Sequence, residues 1–259
     1  MNRIRKILIA LLGEDKYLAF LASSFQKLYK ARLLNRSYQD IYFLKRIIEP
    51  GNYCIDIGAH LGYYTLEMSR LASDYGKIFA IEPMSKFQRA LSGLMKKNRI
   101  VNVTLYQVAL GGDSDFVDMG IPQVGMMKKY GYARVMQTST FLEYIETEKV
   151  KNESGDLLFA GLPRLDFIKC DVEGLEVAVF TSMVESIGKH RPIILCELGD
   201  KKERIKLFEM ILPFGYHAYI LEDSKLRLLD VYSDQQPISH NHYFIPDEKK
   251  GRFKYLIRI

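Results

Sequence analysis

The chain has 259 residues, 48% of them hydrophobic, and a net charge of +6 at neutral pH. This length and apolar content suit one α/β domain with an extension, and three cysteines exclude a disulfide-stapled scaffold. The charge is uneven: residues 1–50 carry ten Lys/Arg against four Asp/Glu, while the remaining 27 of each cancel, so the body has no overall field to attract nucleic acid.

Ile4, Ile7, Leu8, Leu11 and Leu12 fall at helical spacing in residues 2–12. This apolar run is shorter than the roughly 20 residues that cross a bilayer, and no small-residue cleavage site follows it. With Arg3, Arg5 and Lys6 alongside, the segment suits either peripheral contact with an anionic membrane through residues 1–30 or packing on the body as a lid. Tyr17, Leu18, Leu21, Phe25 and Leu28 continue the pattern as a second helix. A third, over Gln39 to Ile48, ends at Glu49-Pro50-Gly51. The expected organisation is a helical extension over 1–50 and a body over 51–259, interrupted by an insertion at about 112–164.

From Tyr53 the pattern alternates strand and helix, which predicts a parallel sheet. The first strand closes on Asp56 and feeds Gly58-Ala59-His60-Leu61-Gly62-Tyr63-Tyr64, with a helix from Thr65. Glycines at 58 and 62 allow a tight turn and close approach of a ligand to the backbone, with the Asp56 carboxylate at the same mouth. Twenty residues past Gly62, Glu82 ends the second strand, where an acid takes the ribose hydroxyls of a bound nucleoside. A dinucleotide fingerprint requires G-x-G-x-x-G. Here the spacing is Gly58-x-x-x-Gly62, which suits S-adenosylmethionine, a donor with no phosphate, better than NAD.

Helices follow at Thr65–Ala72 and Ser85–Lys97. A third strand runs from Val103 to Val108 and is closed by Ala109-Leu110-Gly111-Gly112, whose small residues suit the flank of an adenine ring. The insertion is rich in Met and Tyr (Met119, Met126, Met127, Tyr130, Tyr132, Met136), which fits either an adaptable acceptor pocket or a satellite hairpin. Lys149 to Gly155 reads as a polar surface loop. The fourth strand, Leu165 to Asp171, and the fifth, Pro192 to Glu197, bring Asp171, Glu173 and Glu197 to one sheet edge. Three acids there carry a mutual electrostatic cost unless they bind something. Lys169, inside the fourth strand, reads as structural, tucked against a helix or paired with an acid. After a helix at Lys201–Leu212, strands at Gly215–Leu221, Lys225–Leu229 and His242–Pro246 have no helix between them, which predicts an antiparallel edge strand. Cys54, Cys170 and Cys196 each lie in a predicted buried strand, as core residues of a cytoplasmic protein in a reducing compartment, at most at the inner membrane surface.

The blocks Asp56-Ile57-Gly58-Ala59-His60-Leu61-Gly62, Ile81-Glu82-Pro83, Asp166-Phe167-Ile168-Lys169-Cys170-Asp171-Val172-Glu173-Gly174 and Asn241-His242-Tyr243-Phe244-Ile245-Pro246 together resemble the FkbM family of S-adenosylmethionine-dependent methyltransferases. The resemblance implies a class I, Rossmann-like methyltransferase fold with a seven-stranded, mostly parallel sheet, and O-methylation of a hydroxyl on a sugar, glycan or other small metabolite. It implies that Asp56, Gly58 and Gly62 hold the methionine end of the cofactor and Glu82 its ribose, with Asp171, Glu173 and Glu197 facing the acceptor. Ala59, His60, Tyr64, Thr65 and Ala109 complete the expected cofactor set. Two places depart from the family: Leu175 stands where His is common, and Ser139-Thr140-Phe141-Leu142-Glu143 replaces a Thr-Leu-Asp-like segment. Asp171 is the first candidate for general base and Glu173 the second. A divalent metal on Asp171 and Glu197 is the alternative means of acidifying a hydroxyl. Two other functions compete: nucleic-acid methylation, disfavoured because acids at the acceptor mouth repel a phosphate backbone, and a non-catalytic cofactor-binding module.

Overall fold

The computed structural model describes residues 2–112, 114–124, 127–136, 143–234 and 239–258. Met126 and Ser139 to Leu142, named above, lie outside them. Three helices open the chain: α1 (Asn2–Leu12), α2 (Glu14–Lys30) and α3 (Gln39–Phe43), the last continuing as a 3-10 turn at Leu44–Arg46. Strand β1 (Tyr53–Ile57), helix α4 (Tyr63–Ala72), β2 (Lys77–Ile81), α5 (Ser85–Lys97) and β3 (Val103–Tyr106) then alternate. A second group of strands follows: β4 (Ala109–Leu110), β5 (Phe116–Val124), β6 (Met127–Lys128), β7 (Arg134–Val135) and β8 (Tyr144–Glu153). The chain returns through α6 (Gly155–Phe159), β9 (Phe167–Cys170), α7 (Glu176–Thr181), α8 (Val184–His190), β10 (Ile193–Glu197) and α9 (Lys201–Ile211). It ends with β11 (Tyr216–Glu222), β12 (Lys225–Leu228), β13 (Asn241–Pro246) and β14 (Ile257–Arg258).

The main sheet has the order β14-β12-β11-β13-β10-β9-β1-β2-β3 among the described residues. Nine strands replace the expected seven because β12 and β14 extend it past β11. The turn joining β11 to β12 places Asp223 and Ser224 both at positive φ, the two-residue geometry that matches strand twist. The antiparallel strand, β13, is not at an edge. It lies between β10 and β11 and pairs antiparallel with both. Pro246, which cannot donate to a ladder, ends it, and its apolar Tyr243-Phe244-Ile245 run suits a position covered on both faces.

Both sheet faces are buried, as parallel strands require. Side chains alternate along each strand, so Ile55, Ile57, Ile168, Cys170, Ile194 and Cys196 pack on one face with residues of α7, α8 and α9. Cys54, Phe167, Ile193 and Leu195 pack on the other with residues of α3 and α4. All three cysteines are buried, unpaired core residues.

The second group forms a five-stranded sheet, β4-β8-β5-β6 with β7 on β5. Two expectations change here. Ala109-Leu110 does not close β3 but pairs with Asn152 and Glu153 of β8. The segment from Lys149 to Gly155 is not a loop but the end of β8 and the start of α6. Its charged residues mask a period of two, in which Val150 and Asn152 turn inward while Lys149 and Lys151 are exposed. A third apolar cluster joins this sheet to α2 and α5 through Leu18, Phe87, Leu91, Met119 and Ile121.

Candidate active site

The strand alternation that builds the core also builds a cavity of about 520 Å³ at the carboxyl end of the parallel strands. That is within the roughly 300–1,000 Å³ of small-molecule sites. Asp56 sits opposite Lys169 in the β1–β9 register, and Asp171, two residues on from Lys169, follows on the same side. Glu197 ends β10 opposite Asn241 of β13. All five side chains belong to residues lining the cavity.

At the loop after β1, Gly58 adopts φ 82°. A Cβ there would stand 1.9 Å from the carbonyl oxygen of Asp171, so only glycine lets the loop lie against the end of β9. Gly62, also left-handed, starts α4 beneath Leu91 and does not line the cavity. Thr65 does not line it either. Its hydroxyl donates to Asp56 Oδ2 at 2.5 Å and fixes that carboxylate. Burial pushes Asp56 up to about 6 against the opposing effects of Thr65 and Lys169.

Glu82 is held by two backbone amides, His60 N–H donating to Oε2 at 2.7 Å and Met84 N–H to Oε1 at 2.9 Å. Burial outweighs those bonds and raises it to about 7. Each carboxylate oxygen keeps acceptor capacity beyond its one amide. His60 has φ 49°, and burial drives its ring down to about 4, so it is neutral. Its Nε2 is buried with no hydrogen-bond partner among the described residues. Val108, Ala109 and Leu110 form an apolar wall, and Tyr64 lies under Lys169, whose Nζ is 5.1 Å from the ring centre. The residues fit a nucleoside with an amino-acid tail: a fixed acid for ribose hydroxyls, a second acid behind a glycine turn, and an apolar wall for a base.

The other end of the cavity holds the acids. Lys169 Nζ is 3.3 Å from Asp171 Oδ2. Burial alone would depress this lysine, but Asp171, Tyr64 and Glu197 outweigh it and raise its pKa. Arg134, from β7, pairs with Glu173 at 3.0 Å. Burial and the neighbouring Asp171 nevertheless push Glu173 up to about 7, and the same two causes raise Glu197. The three acids therefore share two cations. Their mutual repulsion is offset within the protein rather than left for a ligand. Asn241 donates its amide N–H to Asp40 at 3.0 Å, and among the described residues its own Oδ1 is buried without a donor. Among the described residues, no three His, Cys, Asp or Glu side chains group in a way that would hold a metal ion.

Of the two placements expected for Lys169, against a helix or paired with an acid, the second is met by Asp171, whereas Arg134 is a site residue that the sequence does not single out. Lys169 was legible, since it is two residues before Asp171 on a strand and so shares its face. Arg134 was not, because its place depends on how the insertion folds back. Met119, Tyr130 and Tyr132 of the insertion do line the cavity, whereas Met136 is outside its wall.

A doubly wound sheet with an acid near the end of β1, an acid after β2 and an antiparallel strand beside β10 defines the class I methyltransferases. The chain belongs to the FkbM methyltransferase family: the profile described as the methyltransferase FkbM domain matches residues 56–224. Its cofactor is S-adenosylmethionine. Among solved structures it is similar to an FkbM methyltransferase from Methylobacillus flagellatus KT, with 15% identity and a TM-score of 0.49 over 86% of this chain and 58% of that one. It is also similar to a SAM-dependent O-methyltransferase from Thermotoga maritima (12% identity, TM-score 0.43, 80% and 63% covered). A third is an rRNA methylase from Streptococcus thermophilus (11%, 0.43, 82% and 95%). The chain thus spans less than two thirds of the length of the first two. No curated protein matches it. No helix among the described residues is long and apolar enough to cross a membrane.

Proposed function

We propose that this chain transfers a methyl group from S-adenosylmethionine to a hydroxyl oxygen on a sugar, glycan or similar small metabolite, with Asp171 as the base. The observation that carries this reading is the shared cavity, with Asp56 and Glu82 at one end and Asp171, Glu173, Glu197 and Lys169 at the other. Asp56, Gly58, Ala59, His60 and Tyr64 hold the methionine end, Glu82 the ribose, and Ala109 the adenine. Gly62 and Thr65 act from behind, shaping the turn and fixing Asp56. The bound cofactor supplies an electrophilic methyl group on a sulfonium.

The protein's own residues do the rest by positioning and proton transfer. Asp171, whose side chain is 35% exposed, can reach a hydroxyl in the cavity and take its proton. The Lys169 ammonium offsets the charge of the acid cluster around that step. Glu173, pushed up to about 7, retains its proton over part of the neutral range and donates a hydrogen bond to an acceptor oxygen, while Glu197, raised by burial and by Asp171, lies beside it. The same acids oppose a phosphate backbone, which favours a small acceptor over nucleic acid. Residues 1–50 form a helical extension against a catalytic body at 51–259, whose insertion at 112–164 supplies one wall of the acceptor space. The three buried thiols suit a reducing, cytoplasmic setting.

Calorimetry with S-adenosylhomocysteine and with NAD tests the cofactor assignment, and binding of the first alone is expected. Tritium transfer from labelled cofactor to a panel of hydroxylated acceptors then tests the chemistry. A folded protein that ignores both S-adenosylmethionine and its demethylated product would overturn the reading.

The affinity should also depend on pH with a defined sign. Ribose hydroxyls donate best to ionised Glu82, which titrates near 7 in the free protein. Binding therefore releases a proton and strengthens as pH rises through 7. Between about pH 8 and about pH 6 the affinity for S-adenosylhomocysteine should fall roughly tenfold. Glu82→Gln should bind more weakly and lose most of that slope.

A further inference from the structure

The first two helices present an outward face that the methyl-transfer reading does not use. Arg5 stacks over the Tyr130 ring at 4.6 Å and donates to the Lys128 carbonyl at 2.9 Å, while Leu8 and Ile9 pack against the body. These contacts fix the rotation of α1 and turn Ile4, Ile7 and Leu11 away from the protein. The three are spaced as one helical stripe and are 66%, 57% and 76% exposed. On α2, Phe20 is 50% exposed, four residues from Lys16 and seven from Lys27 on the same outward side.

The charge around this face is one-sided. The first-turn acids of α2 are already engaged, Glu14 with Lys86, Lys128 and Tyr130, and Asp15 with Arg89. Among the described residues no carboxylate lies within ion-pair reach of Lys6, Lys16, Lys27, Lys30 or Arg32. The whole net charge of the chain falls within residues 1–50. An exposed apolar stripe on α1, together with exposed Phe20 and the unpaired cations of α2, complements the boundary of a bilayer whose headgroups are anionic. We propose that α1 and α2 form a docking surface for an anionic lipid bilayer, with Ile4, Ile7, Leu11 and Phe20 entering the headgroup region and the lysines meeting lipid phosphates. This goes beyond the methyl-transfer reading and does not depend on it. It also sets the bilayer beside the cavity wall that Arg5, Tyr17 and Leu21 supply.

Flotation of the full chain with vesicles of phosphatidylcholine alone, or mixed with phosphatidylglycerol, tests the proposal. The chain should float with the mixed vesicles and bind at least about tenfold more weakly to neutral ones or at raised salt. Ile7→Asp with Leu11→Asp should lower binding about tenfold, and Lys16→Glu with Lys27→Glu should do so independently. All four positions are exposed, so both variants should melt with the wild type, and if one fails to fold the other still decides. Absence of flotation, equal flotation on both compositions, or binding undiminished in a folded variant would overturn the proposal. So would a dimer that Ile7→Asp with Leu11→Asp dissociates, which would give the face to a second copy of the chain.

Discussion

Asp171→Asn is expected to lower methyl transfer by about a hundredfold to ten-thousandfold while leaving S-adenosylhomocysteine affinity within about threefold. The amide keeps the size and one acceptor oxygen of the carboxylate but cannot take a proton. Lys169, 3.3 Å away, retains an oxygen to face, so the buried ammonium is not stranded. The proposed cofactor contacts at Asp56 and Glu82 rest on Thr65 and on the amides of His60 and Met84, none of which the substitution touches. Single-turnover transfer to the acceptor found by tritium screening, with calorimetry alongside, separates the two effects. Wild-type turnover in the variant would remove Asp171 from the mechanism. If Glu173→Gln were then inactive, the proton acceptor would be Glu173.

Gly58→Ala should be among the most damaging single substitutions outside the acid cluster. The added methyl would meet the Asp171 carbonyl oxygen at 1.9 Å, backbone against backbone, at a φ that L-residues rarely adopt. Left-handed strain and overpacking together cost about 2–4 kcal/mol. For a chain of this size that corresponds to a melting point lower by roughly 10 °C. Because the clash falls on the residue that carries the proposed base, relief must displace either the loop or Asp171. Affinity for S-adenosylhomocysteine should fall at least about tenfold as well. Gly93→Ala is the control. It is exposed on α5 with nothing within 4 Å of its Cβ, and should gain about 0.5–1 kcal/mol. Thermal unfolding of both variants checks the pair, and equal behaviour would show that the loop has room the geometry denies it.

Several parts of the fold could be read from the sequence because the residues that fix them are local. Gly58 and Gly62 bend the chain, Glu82 precedes Pro83, and the Asp223-Ser224 turn closes a hairpin, each within a few positions. The helix at Ser85–Lys97 follows from its own periodicity. What escaped depends on partners far along the chain. Ala109-Leu110 looks like the end of β3, and only β8, some forty residues later, draws it into another sheet. The inward parity of β8 carries Glu146 and Glu148 as well as Val150 and Asn152, so its polarity hides its period. The acid cluster was legible as a convergence of strand ends. Its balance was not, since Arg134 reaches Glu173 across 39 residues.

The position of β13 bears on how the molecule comes into being. Ile194 pairs with Phe244, and Ala218 with the same residue from the opposite side, so the sheet is bridged by a segment made after both neighbours. Until that segment arrives, β10 and β11 each present a bare row of amides and carbonyls, the kind of open ladder that recruits strands from other chains. Contacts of such long sequence separation also form slowly. During synthesis, then, the facing edges of β10 and β11 stay open to strands of other chains until Asn241 to Pro246 emerge.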